Sequence, residues 1–189
     1  TAIDPLGRRI TTDGDVYDAD FLVVALGAEY DMEATPGLAE ANEFYSLAGA
    51  ERLRDVLPTF SRGKALIGVC GAPYKCPPAP SECALMLHDY LANRGVREDC
   101  EISLVLPLGS PVPPSPETSR ALVSAFQERH IEFIPNQRVV SVDAARKVAR
   151  LDNGAEMPFD LFLGVPKHRV PNVVEESGMA EDGWIPVNP

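Results

Sequence analysis

Cys76 is the residue of this sequence best placed to do chemistry. It stands in the loop Gly71-Ala72-Pro73-Tyr74-Lys75-Cys76-Pro77-Pro78-Ala79-Pro80, beside Lys75 and just ahead of a helical run that starts near Ser81. Thiolate is the nucleophilic and redox-active form of cysteine, and a neighbouring cation and a helix N-terminus both favour it. The chemistry on offer is thiol–disulfide exchange or attack on an electron-poor centre. The plainer readings are an incidental loop cysteine and, for Lys75, an exposed solubilising cation. The other three cysteines read as small buried hydrophobes: Cys70 ends an apolar run, Cys83 sits in a helical stripe and Cys100 precedes a strand. No two cysteines have CxxC spacing, and no ExxH pattern occurs, so no metal site is expected.

Two elements must position Cys76. Lys64 to Val69 is an apolar run of strand length, and Ser81 to Arg94 has helical spacing with Gly95 as its stop. Strand, turn and helix is how a dinucleotide-binding unit begins. A pyrophosphate, however, needs glycines that bring backbone N–H groups close to it. Pro73, Pro77, Pro78 and Pro80 have no N–H to give. The next strand ends in Leu106-Pro107-Leu108, where an NAD site would place an acid for the ribose.

The 189 residues suffice for one good-sized domain or one domain with attached pieces. A net charge of −11 argues against nucleic acid and against anionic membrane surfaces as partners. No apolar run approaches the ~18 residues of a membrane span. The longest, Phe21 to Ala28, reads as a strand buried on both faces and contains Gly27, where a backbone can approach a ligand closely. Thr1 stands where an initiator Met would, and the last residues are Val187-Asn188-Pro189, so the expectation is an internal piece of a longer protein.

Along the chain, Arg8 to Thr12 and Val16-Tyr17 flank Asp13-Gly14 as a hairpin. Glu29 to Glu43 is an acidic crossover, and Ser46 to Leu57 a short helix ended by Pro58. After the central unit come a strand at Glu101 to Leu106, a helix that Ser115 caps and Pro116 opens, and a strand at Ile131 to Ile134. Arg138 to Val142, Lys147 to Leu151 and Ala155 to Pro158 form a meander with Asn153-Gly154 as a turn. A strand to Val165 and a short helix near Val173 to Ser177 follow. The fold class is α/β: a Rossmann-like parallel sheet with crossover helices and an antiparallel meander, its first strand, Lys64 to Val69, lying centrally.

This order resembles the middle of a two-dinucleotide-domain flavoprotein. Three stretches carry the likeness: the strand and glycine turn from Asp18 to Ala28, the loop and helix from Gly71 to Leu91, and Val165 to Met179. The cysteine loop is similar to that of the sulfide:quinone oxidoreductases and, more closely, of the flavin subunit of flavocytochrome c sulfide dehydrogenases, within the FAD-dependent pyridine nucleotide-disulfide oxidoreductases. The resemblance implies an FAD enzyme of which this chain is a fragment, inactive and without FAD by itself. It implies residues 1–35 as a remnant of the FAD domain, 36–165 as the nicotinamide-like middle domain and 166–189 as the return segment. Ala25, Gly27 and Pro73 would lie along the FAD. Cys76 would be the redox thiol, with Lys75 beside it, pairing with a second cysteine beyond Pro189. Sulfide would attack that disulfide, and electrons would pass through FAD to a quinone or a cytochrome subunit. The histidines are weaker signals: His88 and His130 read as structural or exposed, and His168, where the chain re-enters the FAD domain, has proton handling near the flavin or acceptor only as its lesser reading. The alternatives are an NAD(P)H-dependent FAD oxidoreductase of the type II NADH dehydrogenase kind and a non-catalytic Rossmann-like interaction module.

Overall fold

The computed structural model describes residues 1–187. In chain order its elements are β1 (Ala2–Asp4), β2 (Arg9–Thr11), β3 (Val16–Asp18), β4 (Glu29–Asp31), α1 (Leu47–Val56), β5 (Gly63–Val69), α2 (Ala79–Asn93), β6 (Cys100–Leu106), α3 (Pro116–Glu128), β7 (Ile131–Pro135), β8 (Val139–Asp143), β9 (Val148–Leu151), β10 (Glu156–Pro158), β11 (Leu161–Val165), β12 (Lys167–Arg169) and α4 (Asn172–Glu176).

Four strands make a parallel sheet in the order β11-β5-β6-β7, so β5 is central, as its unbroken apolar run implies. Its two faces are covered differently. Ala65 and Ile67 of β5, Ile102 and Leu104 of β6 and Leu161 and Leu163 of β11 pack with Leu53 of α1, Ala84, Leu87 and Leu91 of α2 and Phe126 of α3. On the other face Leu66, Val105 and Phe162 meet Val139, Val142, Ala149 and Leu151 of the meander β8-β9-β10. Alternation along each strand sends successive side chains to opposite layers. The result is helices, sheet and meander in three layers.

Local chemistry sets the helix ends. Ser46 caps α1 by accepting from the Gly49 amide at 2.9 Å, and Ser115 caps α3, with Pro116 at its first position. Helix α2 opens at Ala79, two residues before the expected Ser81, because Pro78 and Pro80 fall where a helix needs no N–H donors. At its far end the Arg94 guanidinium donates to the carbonyls of Leu57, Pro58 and Phe60, tying α2 to the turn that follows α1.

Where the sheet meets the meander, β5 and β11 place Gly68 directly beside Gly164. A Cβ at Gly68 would lie 2.7 Å from Val139 Cγ2 and 2.8 Å from Phe162 Cε2, and one at Gly164 would lie 2.7 Å from Leu38 Cδ1. Neither strand could carry a larger residue without moving the layer above it. Gly68→Ala should therefore lower the unfolding free energy by about 1–3 kcal/mol through overpacking. Urea denaturation measures this, and wild-type stability in the variant would count against the close approach.

The chain divides into two compact units: Thr1–Tyr30 together with the segment from His168, and Asp31–Lys167. In the first unit β1-β2-β3 form an antiparallel sheet in which Ile10 pairs with both Ile3 and Tyr17, and the hairpin turn at Asp13-Gly14 is present. Strands β4 and β12 also pair. One expectation is corrected. The run from Phe21 to Ala28 is not a buried strand: residues 20–28 belong to no strand, and Phe21 and Val23 are 87% and 84% exposed. A run of apolar residues becomes a covered strand only when neighbouring strands and a second layer reach it, and a sequence pattern does not reveal whether they do.

Candidate functional site

The cysteine loop lies at the carboxyl ends of β5, β6 and β11, the edge of an open α/β sheet at which ligands bind. The Cys70 amide donates to the Val165 carbonyl at 2.9 Å, so β5 and β11 stay paired up to the loop. Beyond it, Gly71 passes close under Lys167: a Cβ there would lie 3.0 Å from the lysine Cγ. Tyr74 turns inward, 7% exposed, and packs with Val69, Leu106 and Val165, with Phe44, Tyr45, Leu108 and Phe133 around them. On this aromatic floor Pro73, Lys75 and Cys76 are exposed.

Cys76 adopts the left-handed conformation, φ +54°, which a non-glycine residue holds only where its surroundings impose it. Its carbonyl accepts from the Ala79 amide at 2.9 Å. The Tyr45 hydroxyl donates to the Lys75 carbonyl at 2.8 Å, and the Tyr74 hydroxyl donates to the Pro77 carbonyl at 3.3 Å. Burial, and then the charge of a Cys76 thiolate, push the Tyr74 phenol up to about 12.

The four thiols divide sharply. Cys70 is buried, and desolvation pushes it up to about 12 against a lowering contribution from Thr35. Cys83 is also pushed up to about 12 by burial, but it is half-buried rather than enclosed. It lines an apolar groove of about 370 Å³ between α1 and α2, walled by Phe44, Leu53, Met86, Leu87 and Tyr90. Cys100 is buried and raised by desolvation, with Arg97 opposing the shift. Only Cys76 combines exposure with a place at the ligand edge.

Of the residues read as cofactor-binding, Pro73 belongs to the second unit with Lys75 and Cys76, and Ala25 and Gly27 belong to the first. Ala25 and Gly27 are exposed, and Gly27 has φ +72° with nothing within 4 Å of where a Cβ would be. His168 is buried in the first unit, with Tyr30 edge-on at 5.0 Å between ring centroids. His88 pairs with its neighbour Asp89, and His130 is exposed just past the end of α3. Among the described residues no three His, Cys, Asp or Glu side chains are grouped to hold a metal ion. No helix among them is long and apolar enough to cross a membrane. Tyr45, Glu43 and Lys167 carry no signal in the sequence, being 31 residues or more from Cys76 and brought to its loop only by the fold. Tyr74 does carry one, as the one large aromatic inside the loop.

Known proteins are similar to this chain over nearly its whole length. The mitochondrial sulfide:quinone oxidoreductase of Mus musculus is 26% identical over 200 residues, covering 98% of this chain and 44% of its own length. The mitochondrial sulfide:quinone oxidoreductase of Schizosaccharomyces pombe is 26% identical over 198 residues, covering 96% of the chain and 43% of its own. The chain is a relative of the sulfide:quinone oxidoreductases. The X-ray structure of the sulfide:quinone oxidoreductase from Aquifex aeolicus has the same fold, with a TM-score of 0.78 and 23% identity over 97% of this chain and 45% of that one. No protein-family model matches the chain. The chain thus spans less than half the length of the sulfide:quinone oxidoreductases it matches, and what it shares with them is an oxidoreductase fold and sequence.

Proposed function

We propose that this chain is the thiol-bearing part of an FAD-dependent oxidoreductase that oxidises sulfide and passes the electrons through a cysteine pair and FAD to a quinone or a cytochrome subunit. One observation carries the reading: an exposed thiol, Cys76, set at the carboxyl edge of a parallel sheet on a loop stripped of phosphate-binding amides. The mouse and fission-yeast relatives named for sulfide and quinone supply the substrate class. In this reading residues 36–165 are the middle domain, and 1–35 and 166–189 serve an FAD domain completed by further chain.

In this reading Ala25, Gly27 and Pro73 would lie along such a cofactor. Gly27 leaves its backbone open to close approach, Ala25 adds no bulk beside it, and Pro73 offers an exposed apolar surface near Cys76. FAD, when bound, supplies a two-electron acceptor. Cys76 supplies the sulfur. With Cys76 and a second cysteine joined as a disulfide, hydrosulfide attacks one of the two sulfurs; the S–S bond breaks, a persulfide forms on the attacked sulfur and the other leaves as thiolate. Lys75 places a positive charge beside that thiolate.

The test is Cys76→Ser in the longer polypeptide that this reading requires. Sulfide-dependent reduction of a soluble quinone should fall on the order of a hundredfold or more, as expected when a nucleophile is removed. A variant that keeps the wild-type rate overturns the proposal.

A further inference from the structure

We infer that Tyr45, set in place by the carboxyl group of Glu43, is a positioning residue that fixes the backbone of Cys76; the inference rests on the reading of Cys76 as the redox thiol. The need for such a residue follows from the loop's composition. Pro73, Pro77, Pro78 and Pro80 supply carbonyl acceptors but no N–H donors, so the loop cannot brace itself in the way glycine-rich loops do. Besides the Ala79 amide, which donates to the Cys76 carbonyl, the donors to this backbone are hydroxyl groups. Tyr45 donates to the Lys75 carbonyl at 2.8 Å and approaches the Cys76 carbonyl at 3.5 Å, while Tyr74 donates to the Pro77 carbonyl at 3.3 Å. The peptide groups before and after Cys76 are thereby both held, and with them the left-handed φ of +54° at a residue whose side chain is exposed.

Tyr45 is itself held. Glu43 is 7% exposed, and its carboxyl oxygens accept from the Tyr45 amide at 2.6 Å, from the Ser46 amide at 2.9 Å and from the Ser46 hydroxyl. Gly49 makes room for that carboxyl group, since a Cβ there would run into it. A buried polar group with three donors is a rigid anchor. The chain of contacts from Glu43 through Tyr45 to Cys76 stays within the second unit. Sulfur transfer between two thiols depends on alignment, so a thiol held in one geometry gains over one that samples several.

Tyr45→Phe tests this in the present chain, because it removes one oxygen and keeps the ring. Amide hydrogen exchange at Ala79, whose N–H donates to the Cys76 carbonyl, should accelerate about tenfold, with amides of β5 unchanged. Alkylation of Cys76 by iodoacetamide should rise about threefold or more, with the urea midpoint and the labelling of Cys100 unchanged. Tyr74→Phe, which removes the hydrogen bond to the Pro77 carbonyl, should move both quantities less. Unchanged exchange at Ala79 overturns the inference. So does faster exchange with unchanged Cys76 alkylation, which would mean that the backbone is held but the thiol is not positioned. A parallel loss of global stability also overturns it, by showing a purely structural role. These readouts do not involve sulfide, so a failure of the redox reading, seen as turnover surviving Cys76→Ser, is a separate result.

Discussion

Iodoacetamide at neutral pH is expected to modify Cys76 before any other thiol in the chain. Two effects act in the same direction. Cys76 is exposed, whereas Cys70 and Cys100 are buried and Cys83 is half-buried. Burial also pushes Cys70 and Cys83 from 9.0 up to about 12. A rise of that size lowers the thiolate fraction on the order of a thousandfold, and thiolate is the reacting form. Mass mapping after short exposures should find Cys76 carrying nearly all the label while Cys70 and Cys83 carry almost none. Of those two, Cys83 should react sooner, since it opens onto the groove between α1 and α2. Labelling of Cys76 no faster than that of Cys100 would remove the main physical support for a working thiol in this loop.

Stability should hold from neutral pH to roughly pH 8.5 and then fall steeply. The groups responsible are Cys70 and Cys83, raised to about 12, and Tyr74, also raised to about 12. The folded protein binds these protons more tightly than the unfolded chain does. Above the ordinary thiol value of ~8.5 the unfolded chain releases protons that the folded state still holds, so alkali favours unfolding until the folded values are reached. By about pH 10.5 each thiol should cost about 2–3 kcal/mol of unfolding free energy. Urea midpoints at a series of pH values measure the slope, and Cys83→Ala should make it shallower. A midpoint unchanged up to about pH 10.5 would show that these thiols are not desolvated.

Sequence and structure agree where one periodicity governs a whole element. Strands β5 and β11 carry continuous apolar runs because both sheet faces are covered, and α3 carries its start in Ser115 and Pro116. The three-residue strands β1, β4 and β12 leave no such signal, as they are too short to show a period. Phe21 to Ala28 misleads for the opposite reason, since its pattern is strong but Phe21, Val23 and Leu26 are exposed. At the site, Cys76 and Lys75 are legible because the prolines around them are local. Tyr45 is not, because a contact across 30 residues of sequence leaves no trace in spacing.

The division of the chain also orders its assembly. The second unit is one uninterrupted segment, Asp31–Lys167, whereas the first is made of the segment Thr1–Tyr30 and the stretch from His168. During synthesis the inner segment has all its partners once Lys167 has emerged. The outer unit has to wait for its second half, and joining the halves means closing a long loop, at an entropic cost that grows slowly with length but falls as soon as the intervening chain is compact. The order of events expected from this division runs from the inside of the sequence outward.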